Sequence, residues 1–530
     1  MGLKYLGFSN SIQKAAVSVR GTISYRAAFG FVPVGFINQK PRLWMLKKRK
    51  IALASMALFM GVGYGRFGLA ADYTQVAALM DLRTRVSDGV HSLEEIARMA
   101  GQRGFDVLFI NDHDRVALEY GIWPLRNILK KKAERPSIHT LGAENYLKMI
   151  ESASKEFPET IFMPGAEAAP FYYWEGNYLK KSLTVCDWER HLIIVGLDKA
   201  EDYRNLPALY SGYSIKKAVR SVSPGFLLFL IPLALGFVMI KRGGKTRYFG
   251  LALIAATIPI AVLESLAFRS SKYDPYHGKQ GIEPYQRVID YVNSRGGMVF
   301  WNHPETLSGA GNLGPVQKRT PPYPEVLAES KNYTGFAALY GDTTTITEPG
   351  NIWDQVLTEY CSGRREKPVW GISSADFHED GGAGDKLGNY PTVLLVKNKT
   401  KASVLDALRQ GRMYAYRGSV DIPRLVLEDF SVSDPETWHK GIMGEEIVVN
   451  GRPAIDILIT VAGSAEKNPV TVRLIRSGAL WKTLSGETPL RINLKDEMRD
   501  SGQKIFYRLD AEDRRGRKIV SNPVFIRFRF

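Results

Sequence analysis

Seven acidic and imidazole side chains stand at the ends of strand-like segments along this chain. They are Asp88, His113, Glu167, His191, His303, Asp376 and His378. Carboxylate oxygens and imidazole nitrogens bind divalent transition metals when several of them converge. One such residue at each of several strand ends is what a barrel would use to build a multinuclear metal centre. A single histidine after a strand is more often a structural group, so the prediction rests on the joint pattern.

The stretch from residue 81 to residue 114 predicts a strand, a turn, a helix and a second strand. Ser92 and Glu95 form a capping-box pattern at the start of the helix, and apolar residues then recur at helical spacing. The second strand is a continuous apolar run, as expected for a strand buried on both faces. It ends in Asp-His-Asp around His113, which is where α/β barrels carry their chemistry.

Two apolar runs interrupt this pattern, at residues 225–240 and 249–268. They flank a basic turn, and each is close to the length that crosses a bilayer, so we predict a transmembrane hairpin over 224–268. Two buried core helices are the alternative interpretation. The positive-inside rule places the basic turn in the cytoplasm and the flanking soluble parts on the outer side.

The N-terminal segment carries much of the net charge of +17. Residues 1–50 contain ten lysines or arginines and no acid, which is typical of targeting rather than of a DNA-binding face. A basic stretch, an apolar stretch and small residues near Ala70 follow from Met45, as in a signal peptide or an uncleaved signal anchor. We therefore expect residues 1–44 to be a mis-assigned start or an unusual extension, and we expect no nucleic-acid partner.

The last part of the chain changes character at about residue 420. Short segments that alternate apolar and polar residues between turns predict an all-β sandwich. Cys186 and Cys361 lie far apart in the sequence without metal-binding spacing. They form either a disulfide in an oxidising compartment or two separate thiols.

Six segments, taken together and in order, resemble the motifs of the polymerase and histidinol phosphatase (PHP) family. They are DLRTRVSDG, FINDHD, PGAEA, HLIIVGLD, VFWNHPE and SSADFH. The resemblance covers roughly residues 78–415, with the predicted hairpin inserted between the motifs of His191 and His303. It implies a distorted (β/α)7 barrel, up to three divalent metals, and hydrolysis of phosphate esters by a metal-activated water.

The resemblance also implies how the seven residues divide between metals. One metal would be held by Glu167, His191 and His303, and a second by Asp88, His113 and His378. A third would need a His-x-His pair together with Glu167 and Asp376, but this chain has Arg83 and Arg85 at the histidine positions. Guanidinium groups stay protonated and cannot bind a metal. The expected cofactors are therefore two divalent transition metals, namely zinc, manganese or iron.

Two hypotheses for the arginines remain open. In the first, a two-metal hydrolase acts on a phosphorylated small molecule or other phosphate ester, and Arg83 and Arg85 grip the substrate phosphate. In the second, the barrel is catalytically inactive and serves as an envelope protein that binds an anionic ligand or acts as a scaffold. In either case the guanidinium groups would partly neutralise Glu167 and Asp376.

The predicted architecture is α/β: a PHP-like barrel interrupted by a transmembrane hairpin and followed by a β-sandwich, anchored in the membrane with its soluble domains on the outer side. The predicted divisions are an N-terminal extension (1–44), a signal peptide or anchor (45–71), a first barrel part (72–223), the hairpin (224–268), a second barrel part (269–418) and the sandwich (419–530).

Overall fold

The computed structural model describes residues 73–123, 125–126, 128–209, 224–264, 273–342, 344–382, 385–498 and 504–529. These residues belong to one compact unit. The predicted extension (1–44) and signal segment (45–71) lie outside the described residues, as do residues 265–268 of the predicted hairpin.

The first part of the chain is mixed α/β. Its strands are β1 (Thr74–Leu82), β2 (Val107–Ile110), β3 (Val116–Gly121), β4 (Lys130–Arg135), β5 (Ile161–Ala168), β6 (Tyr173–Glu175), β7 (Thr184–Cys186), β8 (Leu192–Val195), β9 (Met298–Trp301), β10 (Ala310–Leu313), β11 (Val316–Arg319), β12 (Gly335–Leu339), β13 (Trp370–Ser373), β14 (Pro391–Val396) and β15 (Met413–Arg417). Its helices are α1 (Leu93–Gln102), α2 (Ile138–Leu141), α3 (Ala143–Glu156), α4 (Ala200–Arg204), α5 (Leu230–Arg242), α6 (Gly244–Glu264), α7 (Glu283–Ser294), α8 (Val326–Glu329), α9 (Ile352–Cys361) and α10 (Lys401–Gln410).

A large sheet organises this part, in the order β13-β12-β9-β8-β5-β2-β1-β14-β15. The pairs β1–β2, β2–β5, β9–β12 and β12–β13 are parallel. Strand β8 runs antiparallel to both of its neighbours, β5 and β9. Strands β2, β8, β9, β12 and β13 are buried along their whole length, which explains their unbroken apolar sequences. Beyond the end of β13, Phe377 forms a parallel bridge with Leu82 at the end of β1.

Helix α1 begins as its sequence predicts. The Ser92 hydroxyl accepts a hydrogen bond from the Glu95 backbone at 3.2 Å, and the Glu95 carboxylate accepts one from the Ser92 backbone at 2.7 Å. This capping box satisfies two donors that the first turn would otherwise leave open. The helix therefore starts at a fixed point between β1 and β2 and packs Ile96 and Ala100 into the core.

From residue 425 every described element is a strand. These are β16 (Leu425–Ser433), β17 (Lys440–Ile442), β18 (Glu446–Val449), β19 (Ala454–Val461), β20 (Pro469–Arg476), β21 (Ala479–Glu487), β22 (Leu490–Lys495), β23 (Lys504–Asp513), β24 (Lys518–Ser521) and β25 (Val524–Phe528). The order β17-β16-β19-β22 forms one sheet, and β24-β23-β20-β21 continues the large sheet, with an apolar core shared by residues of both.

The large sheet crosses the predicted domain boundary at residues 418 and 419. Strand β15 pairs with β24, placing Tyr414 opposite Ser521. Behind this seam, the buried guanidinium of Arg508 donates two hydrogen bonds to Asp354 of α9, at 2.6 and 2.7 Å. The C-terminal strands are thus joined to the first part by backbone pairing and by a buried ion pair.

Helices α5 and α6 pack against each other through glycines. A Cβ on Gly250 would lie 2.5 Å from the Gly236 carbonyl oxygen, so only glycine allows this close approach. Within the described residues, one helical stretch, Gly244–Val262, is long and apolar enough to cross a membrane on those two criteria alone. Helix α5 has only 13 residues. The spanning hairpin therefore stays a prediction.

The two cysteines are separate thiols. Cys186 is buried on β7 and Cys361 is half-buried at the end of α9, and neither forms a disulfide.

Candidate metal centre

All seven strand-end residues line one cavity of about 260 Å³. His113 follows β2, His303 follows β9, and Glu167 is the second-last residue of β5. These three residues therefore lie at the carboxyl ends of their strands. His191 immediately precedes β8, which runs antiparallel to its neighbours, and the start of that strand therefore lies at the same edge. The sequence prediction that these side chains converge agrees with this geometry.

Glu167 is the centre of the cluster and is fully buried. Its Oε1 lies 3.1 Å from His191 Nδ1 and 3.6 Å from His303 Nε2, and its Oε2 lies 3.1 Å from His113 Nδ1. The Asn302 amide donates a hydrogen bond to Oε1 at 2.6 Å. Burial raises the pKa of Glu167, but the charges of Arg83 and the histidines outweigh it and hold that pKa well below its usual value.

A second group surrounds Asp88 at the mouth of the cavity. Its Oδ2 lies 3.3 Å from His113 Nε2 and 3.4 Å from His378 Nε2. Burial raises the pKa of Asp88, but the hydrogen bonds from the two imidazoles prevail and lower it. Asp88 is therefore a carboxylate at neutral pH, held between two ring nitrogens.

The donor atoms fit divalent metals at two places. Ligand atoms of His113, Glu167 and His191 lie within 4.8 Å of one another, as do those of Glu167, His303 and Asp376. Mixed imidazole and carboxylate donors suit zinc, manganese and iron. Glu167 Oε2 is buried and faces the Arg83 guanidinium and His113 Nδ1, so its charge is shared between the imidazole side of the cavity and Arg83.

Arg83 occupies the position where a third metal would need its histidines. Its side chain is only 1% exposed, and it makes ion pairs with four carboxylates, those of Asp81 at 2.5 Å, Asp376 at 3.3 Å, Asp88 at 3.8 Å and Glu167. Burial lowers the pKa of Arg83, but these carboxylates raise it well above its usual value. A permanent cation already sits among these oxygens, so the residues do not fit a third ion.

Arg85 does not reach the cavity. Its side chain is 61% exposed, pairs with Glu95 at 3.0 Å and donates to the Val90 carbonyl oxygen at 2.9 Å. Arg83 and Arg85 were expected to grip a substrate phosphate together. The structure instead separates them, because alternate residues at the end of β1 turn to different surroundings once the strand gives way to the turn at 85–88.

Asp81 and Asn302 are two buried residues that were not predicted from the sequence, and they hold the cluster in place. Asp81 accepts hydrogen bonds from Asn302 at 2.6 Å and Ser374 at 2.8 Å, and it pairs with Arg83. Three residues here have left-handed backbones: Asp81 (φ 67°), His303 (φ 26°) and Asp376 (φ 41°). Such conformations cost free energy and concentrate at functional sites. In the sequence, only their positions close to Arg83 and His303 could have indicated that Asp81 and Asn302 belong to the site.

Cations on the rim of the cavity were also not identified from the sequence. Arg115 and Arg135 line it at the base of the β3–β4 hairpin, and Lys318 lines it from β11. Lys318 is paired with Glu189. The guanidinium groups of Arg115 and Arg135 have no ion pair and no side-chain hydrogen bond within the described ranges. Burial lowers the pKa of Arg115. A half-buried cation without a partner at a cavity rim is suited to an anionic ligand.

A larger groove of about 720 Å³ lies among β20, β21 and β23. Its lining residues carry mixed charges and include no histidine. The smaller cavity at the strand ends is therefore the candidate site.

Metal binding is expected to weaken as the pH falls. Burial lowers the pKa of His303 and His378, but hydrogen bonds to Glu167 and Asp88 prevail and raise each to about 9 in the metal-free protein. A metal takes the neutral imidazole, so below that pH each ion must displace a proton. Isothermal titration with Zn²⁺ should show affinity rising with pH up to about 9. At neutral pH, buffers of different ionisation enthalpy should report proton release, and an absence of release would contradict the prediction.

No protein-family model and no curated protein matches the chain. A two-domain protein from Bacteroides vulgatus, described as containing a predicted PHP-like metal-dependent phosphoesterase, matches with 12% identity over 83% of this chain and 91% of that one, at a TM-score of 0.34. A protein from Bifidobacterium adolescentis, described as a metal-dependent phosphoesterase, matches with 14% identity over 62% of this chain and 95% of that one, at a TM-score of 0.29.

An amidohydrolase from Chromobacterium violaceum, described with bound sulfate and no metal, matches with 13% identity over 57% of this chain and 88% of that one, at a TM-score of 0.25. These three solved structures are thus described as a protein with a PHP-like metal-dependent phosphoesterase, a metal-dependent phosphoesterase and an amidohydrolase, all at low identity and low TM-score.

Proposed function

We propose that this protein is a membrane-tethered, exported PHP-like hydrolase of phosphate esters that uses two divalent metals. The observation that carries the proposal is that all seven residues picked out by strand-end position line one cavity. They are contributed by distant parts of the chain, so chance is a poor explanation for their convergence.

The fold would be a distorted seven-stranded barrel. Seven strands follow one another in the order β1-β2-β5-β8-β9-β12-β13, and the bridge between Leu82 and Phe377 joins the two ends of that order. Antiparallel β8 is the distortion. The barrel proposal accounts for a site at one edge of the sheet, because the carboxyl ends of barrel strands meet around one mouth.

Different residues of the site would bind the two metals, hold the ligands in place and bind the substrate phosphate. Glu167, His191 and His303 would hold one ion, and Asp88, His113 and His378 the other. When bound, such ions supply Lewis acidity for phosphate-ester hydrolysis at neutral pH. Arg83 pairs with Asp81, Glu167 and Asp376 and holds these three side chains in a fixed arrangement. The substrate phosphate would be bound by the rim cations rather than by Arg83, which is enclosed.

Arg115→Met is expected to raise KM with little change in kcat. The guanidinium would make a charge-assisted contact with the substrate anion, and losing one such contact corresponds to about 10-fold to 100-fold in binding. Steady-state kinetics on the best substrate would measure this. Arg491→Met on the exposed face of β22 is the matched control. An unchanged KM for Arg115→Met would contradict a substrate role.

Membrane anchoring is supported by the lengths of two helical segments. Helix α6 has 21 residues, which gives about 31 Å. The six-residue 3₁₀ segment Pro224–Phe229 and the 13 residues of α5 together give about 31 Å as well. Both match a hydrocarbon core of about 30 Å. Leu235, Phe237 and Ile258 are among many large apolar side chains exposed on these helices, which is costly in water.

The topology would follow from charge. Lys241, Arg242, Lys245 and Arg247 at the hairpin turn favour the cytoplasmic side. The basic segment at 47–50 also favours that side, so both soluble parts would lie on the outer side of the membrane.

Metal analysis and a substrate panel test the proposal. Purified full-length protein in detergent should contain about two equivalents of transition metal. Phosphomonoesters, phosphodiesters and amides would be assayed with Mn²⁺ or Zn²⁺ for the natural chain, for His303→Ala and for His439→Ala, which changes an exposed histidine in the loop between β16 and β17. Hydrolysis lost only in His303→Ala supports the proposal. Metal-bound protein without any hydrolysis would favour the inactive-scaffold alternative, and a chain that binds no metal would refute both sites.

A further inference from the structure

Two neighbouring loop tips expose large apolar side chains far from the metal centre. One tip joins β3 to β4, and the other joins β6 to β7. Their exposed apolar residues are Ile122 (59%), Trp123 (59%), Ile128 (36%), Leu129 (54%), Tyr178 (50%) and Leu179 (88%). We call these six residues the apolar tips. Single exposed apolar residues are ordinary, but a group of them on adjacent loops marks an interaction surface.

Aromatic contacts fix the two tips beside each other. The Tyr120 ring, at the end of β3, lies 6.4 Å from the Tyr178 ring and 5.9 Å from the Tyr276 ring. The Gly121 backbone donates a hydrogen bond to the Tyr276 hydroxyl at 2.6 Å, and Arg126 stacks over the same ring at 4.1 Å. The tips therefore form one platform held by segments of three different parts of the chain.

The two loops that form the platform carry only positive charges. Residues 120–133 and 176–186 contain no acid. Lys131, Lys180 and Lys181 are exposed, and none of them has an ion-pair partner in the part of the chain that the structure describes. Apolar and aromatic tips ringed by free lysines suit an anionic bilayer surface, where the rings sit at headgroup level and the ammonium groups meet phosphate. A second copy of this chain would bring like charges together.

The platform is close to the point where the predicted hairpin joins the first part. Glu264 ends α6, and Tyr273 is nine residues later, so the chain between them spans at most about 30 Å. Tyr276 then contacts the platform directly. A bilayer that held the hairpin would thus lie within reach of the tips.

We propose that the apolar tips insert into the interface of an anionic membrane and set the orientation of the metal centre above it. This inference rests on the proposed membrane anchoring. The β3–β4 hairpin would act as a spacer, since its base lines the catalytic cavity and its tip would be in the headgroup layer. Six residues of β3 hold the cavity about 20 Å from the surface, so a substrate must reach it from the aqueous side.

A fluorescent label at the tip tests the contact. The full chain, with Cys186→Ser and Cys361→Ser, would carry a nitrobenzoxadiazole label at Leu179→Cys or, as a matched control, at Leu480→Cys, an exposed leucine on β21. Each chain would be placed singly in nanodiscs of phosphatidylcholine with or without phosphatidylglycerol, and with lipids spin-labelled near the glycerol. We expect a blue shift and loss of fluorescence at residue 179 and neither at residue 480. Lys180→Glu with Lys181→Glu should reverse both changes in anionic discs.

Three outcomes would overturn the inference in different ways. Chains that enter the discs but show no quenching at residue 179 refute the tip contact alone. Quenching that the double charge reversal leaves unchanged refutes the preference for an anionic surface. Chains that cannot be incorporated into discs refute the membrane anchoring and the contact with it.

Discussion

Glu167→Gln is expected to remove the metal proposed to bind with His191 and His303 and to abolish hydrolysis. Glu167 is the one carboxylate that lies between His113 on one side and His191 and His303 on the other. Glutamine keeps the shape but brings an NH₂ group toward ring nitrogens and Arg83, and it removes the charge that attracts a dication. Changes in residues that merely support ligands cost about 10-fold to 100-fold in affinity or activity, so this change should cost at least that much.

Metal content and kcat/KM of the purified variant would be measured together. Glu175→Gln is the matched control, because Glu175 is an exposed glutamate near the end of β6 that pairs with Arg319. It should leave both quantities unchanged. A Glu167→Gln protein that keeps two metals would show that the buried carboxylate is a structural partner of Arg83 and not a ligand.

The candidate ligand residues could be found from the sequence because their signal is local. They lie at or close to the ends of apolar runs that indicate buried strands, and strand ends in one sheet meet at one edge. His191 agrees with this pattern for a different reason, since β8 is antiparallel and contributes its beginning rather than its end. The helix start at Ser92 could also be predicted from a local pattern, that of Ser92 and Glu95, and the capping box confirms it.

The parts of the site that were missed depend on long-range pairing. Asp81 and Asn302 look like ordinary strand-end residues, and only the bond between them, across 221 positions, reveals their role. Arg115 and Arg135 become neighbours of the metal centre because β3 and β4 form a hairpin whose alternating sequence gave no strong signal. The continuity of the large sheet into the C-terminal region likewise depends on Tyr414 pairing opposite Ser521.

Arg83 and Arg85 were predicted to act as a pair, and the structure separates their roles. Arg85 makes one exposed ion pair, which contributes little to stability. Arg83 is buried among Asp81, Glu167 and Asp376, and it is the built-in countercharge of the site. Of the two arginines, Arg83 is the one that contacts the candidate metal-binding carboxylates, so the question of an arginine's role in the site concerns Arg83.

Arg83→Met is expected to destabilise the fold by about 3–5 kcal/mol, because it leaves buried carboxylates without their partner. Arg85→Met is the matched control and should leave the unfolding midpoint almost unchanged, because it removes only an exposed ion pair. Thermal unfolding followed by near-ultraviolet circular dichroism would compare the two in EDTA and in excess Mn²⁺. Since the carboxylates of Asp81, Glu167 and Asp376 would then face an empty position, Mn²⁺ should raise the unfolding midpoint more in Arg83→Met than in the natural chain. Equal midpoints for Arg83→Met and Arg85→Met would show that Arg83 is not the countercharge that holds these carboxylates together.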